Sequence, residues 1–262
     1  MHQIKKITNL AMILAVALVL TACDHQASKG DKQQTETSTV SSSKPSQSES
    51  KLEKSDAQNK ENPDHLKDQD TLSALKTIFV NDRLPTDVYG QNNQLIAAKY
   101  STPRSQNYNI DYFETNQPMA LNDAKLEGLS PFATFKKSEY GTYEEAKNAV
   151  GYTIPDGIPT MLNHGIQGFQ QGAAGSTYIG WQEGKWSILF QTTNANGEDA
   201  LKLANQIVDL LETIYLPAPT DVGQIRLHSG STNELAFNNG NTVYSLTHRD
   251  SLSLLKMAAS IK

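Results

Sequence analysis

The chain has 262 residues, with 23 basic against 28 acidic side chains and a formal charge of −5. An acidic balance with no polybasic cluster argues against nucleic acid as a partner and against electrostatic capture by anionic lipid. Cys23 is the only cysteine, so an internal disulfide is excluded and the fold must hold by packing alone.

The first 22 residues have the layout of a secretory signal: Lys5 and Lys6, an apolar run at 10–20, then small residues. Eleven apolar residues span about 16 Å as a helix, far short of the roughly 30 Å of a bilayer core, so a cleaved signal is expected rather than a permanent span. Leu20, Thr21, Ala22 and Cys23 resemble the lipobox of bacterial lipoproteins, with Leu at −3, a small residue at −1 and Cys at +1. That resemblance implies a diacylglyceryl group on the Cys23 thiol and cleavage just before it. It places the mature chain on the outer face of the cytoplasmic membrane, in a Gram-positive bacterium, with the membrane as a partner through the lipid. Two acyl chains suffice for lasting anchorage, since each buried methylene contributes about 0.8 kcal/mol. Loss of Lys5 and Lys6 leaves 21 basic against 28 acidic residues, a balance of −7.

From Asp24 to Asp70 no aromatic residue occurs, and the only aliphatic side chains are Ala27, Val40, Leu52, Ala57 and Leu66. Such a stretch cannot bury enough apolar surface to offset the entropy of ordering. Residues 23–70 are therefore expected to form a disordered tether. A flexible chain of about 45 residues spans on the order of 35–40 Å, enough to lift a domain off the membrane. Residues 71–262 hold both tryptophans and every tyrosine and phenylalanine, and form the folded region, either whole or as sub-units 71–160 and 161–262.

Within that region the first expected element is a helix at 71–79. Residues 94–101 and 107–114 alternate as strands, with Tyr108, Ile110 and Tyr112 on one side. Thr142-Tyr-Glu-Glu145 has capping-box spacing and opens a short helix through Val150. Gly165, Gly168, Gly172 and Gly175, interleaved with Gln167, Gln170 and Gln171, read as a loop packed on the sheet, or one that contacts a peptide or sugar.

The second half carries a repeat. Residues 181–190 align without gaps on 237–246, each with a glycine at the same offset, Gly184 and Gly240, between alternating apolar residues. Turns at Glu183-Gly184 and Asn239-Gly240 make two hairpins. Trp181 then pairs with Trp186, and Ile179, Trp181, Trp186, Ile188 and Phe190 share one face. A helix follows each hairpin. In the first, Ala200, Leu203, Ala204, Ile207, Leu211 and Ile214 form the inner face, ended by Pro217 and Pro219. The second opens at Asp250 or Ser251 and turns Leu252, Leu255, Met257 and Ala259 inward. Residues 94–150 are a looser third copy. The order predicts an α+β fold of antiparallel hairpins, each followed by a helix that covers a sheet face. The run of Glu234, Asn239-Gly240, Tyr244, Leu252, Met257, Ala258 and Ser260 resembles a poorly characterised extracytoplasmic domain. That domain ends Gram-positive lipoproteins and anti-sigma-factor ectodomains. The resemblance implies a non-catalytic envelope domain and assigns no functional residues.

Chemistry is sparse. Ser73-Ala-Leu-Lys76 and Ser253-Leu-Leu-Lys256 match Ser-x-x-Lys but lack the Ser-Asp-Asn and Lys-Thr-Gly partners of penicillin-binding enzymes. His164, His228 and His248 show no zinc spacing, and no cofactor is expected. The segment at 194–199 lacks the acidic first ligand of a calcium loop and reads as a helix cap. Trp181 and Trp186 invite a sugar platform, but their shared apolar face assigns them to the core. The expected function is thus a lipid-anchored, non-catalytic module that binds an envelope protein or cell-wall component. The alternatives are a carrier of a lipid or other apolar ligand, and a wall hydrolase using Glu139, Glu144 or Glu183.

Overall fold

Ten strands, several of them with period-two alternation of apolar residues, join one mixed sheet. The computed structural model describes residues 63–90, 94–103 and 106–262, all within the compact unit 57–262. Cys23, the signal segment and most of the tether lie outside the described residues.

The strands are β1 (Leu95–Tyr100), β2 (Tyr108–Thr115), β3 (Ala133–Glu139), β4 (Ile158–Met161), β5 (Gln167–Ala173), β6 (Ser176–Glu183), β7 (Trp186–Thr193), β8 (Gly223–His228), β9 (Asn233–Asn239) and β10 (Thr242–His248). The helices are α1 (Pro63–Ile78), α2 (Tyr143–Ala149), α3 (Ala200–Leu211) and α4 (Ser251–Ala259). Across the sheet the order is β1-β2-β3-β10-β9-β8-β7-β6-β5-β4. Every pairing is antiparallel except β7 with β8, where α3 supplies the crossover that a parallel pair requires.

This corrects the expected alternation of hairpin and helix with helix-covered faces. The sheet is continuous, and β8 enters it beside β7 and pairs with β9, so β8, β9 and β10 form a three-stranded meander rather than a hairpin. The glycine-rich stretch expected as a loop is strand β5 with its flanks. The expected helix at 71–79 begins at Pro63, inside the stretch read as tether. On α4 the inner residues are Leu254, Leu255, Met257 and Ala258, while Leu252 is exposed.

Both hairpin turns sit one residue later than expected. Glu183 pairs with Trp186 and Asn239 with Thr242, which leaves Gly184-Lys185 and Gly240-Asn241 as the loops. Each glycine then takes the first central position with positive φ (58° and 63°), the requirement of a type II′ turn. Trp181 consequently lies opposite Ile188, and the two indoles are diagonal rather than direct neighbours. Moving a turn by one residue shifts the pairing by two, so the shared face of the five apolar residues is kept.

That face carries the main core. Leu75 and Phe79 at the C-terminal end of α1, Ala204, Ile207 and Val208 of α3, and Leu254, Leu255 and Met257 of α4 form one buried cluster. They pack with Ile110, Phe135, Ile188, Ile225, Leu235 and Leu246 of the sheet. Side-chain caps set the helix starts: Asp199 accepts from Lys202 N, Asp250 from Ser253 N, and Thr142 with Glu145 completes the capping box. Among the described residues the helical cover of the opposite face is α2 and one 3-10 turn. Ala146 and Val150 at α2 cover Val243, and Leu126 of a 3-10 turn (Ala124–Leu126) covers Ala97 and Phe113. The remainder is crossed by the segment that joins α2 to β4.

Candidate functional site

Residues 151–157 run as a strap from α2 to the far edge of the sheet, and named hydrogen bonds hold them down. Arg226 on β8 donates to Gly151 O. Gln224, beside it, is 1% exposed. Its Oε1 accepts from Thr153 N at 2.8 Å and Thr153 Oγ1 at 3.1 Å, while its Nε2 donates to Ser187 O and Ile225 O at 3.2 Å each. Ser187 Oγ on β7 donates to Thr153 O. Gln182 on β6 donates to the Tyr152 hydroxyl, and Gln171 on β5 donates to Asp156. Where the strap crosses β6 the sheet has Gly180, and a Cβ there would lie 2.9 Å from Pro155 Cβ. Such contact explains the glycine: close backbone approach excludes a side chain.

Beside the strap lies a depression of about 200 Å³. Phe169 and Leu189 lie to either side of Gly180 across three strands, Pro155 sits on Gly180 between them, and Tyr178, Gln171, Ile154 and Asp156 stand around it. Phe169, Tyr178 and Leu189 are half-buried, and Ile154 is 75% exposed.

A second depression, about 240 Å³, opens where β7 and β8 end and α3 and α4 begin, the usual ligand position in a sheet with a parallel pair. Phe190, Leu203, Ile207 and Leu252 supply apolar walls, and Glu198, His228, Arg249 and Asp250 supply polar ones. These polar groups already have partners. Glu198 accepts from Ser229 Oγ, a His228 ring nitrogen sits 3.0 Å from Gln191 Oε1, Arg249 donates to Ser130 O at 2.9 Å, and Asp250 caps α4. Two carboxylates here oppose the anion that two helix N-termini would favour.

The sequence-nominated residues do not converge. Trp181 is fully buried and Trp186 is 7% exposed, in edge contact with Phe237 at 5.7 Å, so neither ring is a surface platform. Glu139 on β3 and Glu183 on β6 are five strand steps apart, about 24 Å. Glu144 sits on α2, over the opposite face. No two of these three form the paired carboxylates that glycoside hydrolysis uses. Glu183 accepts from Trp181 Nε1 at 2.7 Å, and burial, partly offset by that bond, raises its carboxyl above the ordinary range.

Ser73 and Lys76 belong to α1, Ser253 and Lys256 to α4, and both lysines are exposed. His164 contacts Asp209 at 3.0 Å, and His248 is buried between Tyr89 O and Asp250 N. Among the described residues no group of three His, Cys, Asp or Glu side chains could hold a metal ion. The strap and Phe169 escaped sequence reading. By alternation Tyr178 falls on the face opposite Ile179 and Trp181.

Compared with family models, curated proteins and solved structures, the chain matches none.

Proposed function

We infer that the chain is a lipid-anchored binding module of the cell envelope, held at the outer membrane face through Cys23. It acts by holding an envelope protein or wall component rather than by catalysis. The observation that carries this reading is the lipobox at Leu20 to Cys23, set behind an apolar run and ahead of an aromatic-free stretch. The dispersal of Glu139, Glu144 and Glu183 supports binding over wall hydrolysis. The apolar-carrier alternative gains no support from the core, where side chains of α1, α3 and α4 interlock with the sheet in one cluster.

The test is cross-linking from intact cells that carry the anchored chain, with the Cys23→Ser variant in parallel. Recovery of an envelope protein or wall fragment with the anchored form is expected. Release of soluble wall fragments by the purified chain would replace this reading with a hydrolase.

A further inference from the structure

We propose that the depression beside the strap binds one ring of a neutral saccharide chain. This inference rests on the binding-module reading and specifies its ligand. A pyranose has a flat C–H face and an edge of hydroxyls, and the depression offers a counterpart to each. Phe169 and Leu189 flank Gly180 in one row across β5, β6 and β7, and Pro155 of the strap, seated on Gly180, walls the slot beside these apolar neighbours. Tyr178, the next residue along β6 on that face, adds a second half-buried ring. The exposed part of each ring presents apolar surface to a C–H face.

The polar side is Asp156 with Gln171, oriented by their mutual hydrogen bond. After that bond the amide keeps a second N–H and its oxygen, and the carboxylate keeps its other lone pairs, a mixed set that suits sugar hydroxyls. No Lys, Arg or His lines the slot, so nothing there recognises a phosphate or sulfate, and Asp156 disfavours an acidic sugar. A volume of about 200 Å³ is below the range of drug-sized sites and suits a single ring, with the open rim letting a chain continue.

A peptide ligand is less well served. Peptides commonly add a strand to an open edge, yet both edges here are blunted. On β1, Ile96 O accepts from Thr71 Oγ1, Ala98 O from Asn122 N, and Tyr100 N donates to Asn122 Oδ1. On β4 the answer follows from register. Ala173 and Ser176 flank the two-residue turn and pair by hydrogen bonds, so alternation points the N–H groups of Ile158 and Thr160 toward β5. Pro159, with no N–H, therefore faces the free edge, where it discourages pairing.

The experiment uses the full chain in detergent, titrated with cellotetraose, chitotetraose and maltotetraose by calorimetry and saturation-transfer NMR. Binding of at least one is expected, with transfer strongest at the ring C–H protons. Tyr178→Ala should weaken it by about tenfold, Tyr178→Phe should retain it, and Tyr215→Ala, an exposed ring elsewhere, should leave it unchanged. Should Tyr178→Ala fail to fold, Asp156→Asn at an exposed position must weaken binding instead. Absence of binding to all three probes, or binding indifferent to both substitutions, overturns the proposal. Recovery of an envelope protein from cells alongside failure of all three sugars would leave the binding module standing and remove the saccharide.

Discussion

Gly223 permits the seat of Trp186, and a double-mutant cycle tests that dependence. A Cβ built at residue 223 would lie 2.4 Å from Trp186 Cε3, 2.6 Å from Cζ3 and 2.7 Å from Cδ2. Carbon atoms in contact prefer about 3.5–4.0 Å, so the indole would have to retreat by about 1 Å. It has little room, being 7% exposed and packed edge-on against Phe237. Gly223→Ala should therefore cost about 1–3 kcal/mol, the range for overpacking a filled core. Trp186→Ala should cost about 3–5 kcal/mol by emptying a large aromatic site. In the double variant the new methyl enters vacated space. The alanine should then cost nothing, or gain about 0.4–1 kcal/mol by restricting the unfolded chain. The coupling energy should be about 1–4 kcal/mol. Equilibrium urea unfolding followed by circular dichroism measures all four proteins, with m-values compared to confirm that midpoints report stability. Equal cost of Gly223→Ala with and without the indole, or a cost below about 0.5 kcal/mol in the native background, would refute the packing argument.

Further outcomes follow from other sites. Cys23→Ser should leave an uncleaved precursor without lipid mass; processing before residue 23 with membrane retention would refute the anchor. Tyr112 is fully buried, its hydroxyl has no hydrogen-bond partner among the described residues, and burial raises its phenol above the ordinary range. Tyr112→Phe should thus raise stability by about 1 kcal/mol, read from the urea midpoint, and a clear loss would reveal a missed partner. Gln224→Leu keeps the volume but removes the acceptor of Thr153 N–H and Oγ1, and should cost about 1–3 kcal/mol in the same assay. His248 is held neutral, its Nε2 donating to Tyr89 O and its Nδ1 accepting from Asp250 N, and burial lowers its pKa. Because the unfolded chain takes up a proton near the ordinary histidine pKa of about 6.5 while the folded one resists, stability should fall as pH drops below about 6.5 and level off below the folded pKa. His248→Gln should flatten that slope between pH 7.5 and 5, and an unchanged slope would remove His248 as its source.

Local chemistry made several elements legible in the sequence. Thr142 with Glu145, Asp199 and Asp250 mark helix starts because a cap needs only a side-chain oxygen within a turn of the orphan N–H groups. Alternation fixed the buried faces of β2, β6, β7, β9 and β10, since side chains two apart share a face whatever the partner strand. Only the tertiary structure decided how these pieces join. Strand order depends on residues far apart in sequence, and β8, a short strand after two prolines, gives no local sign that it will lie parallel to β7. The strap is likewise silent in its own composition. Tyr152 to Asp156 follow no helical or strand period, and their course is set by the Gln224 amide, 71 residues from Thr153, and by the gap at Gly180. Periodicity and capping act over a few residues and can be read along the chain. The slot beside the strap exists only once long-range hydrogen bonds from Gln224 and Ser187 lay residues 152–156 across the β5-β6-β7 meander, because half of its wall comes from the strap.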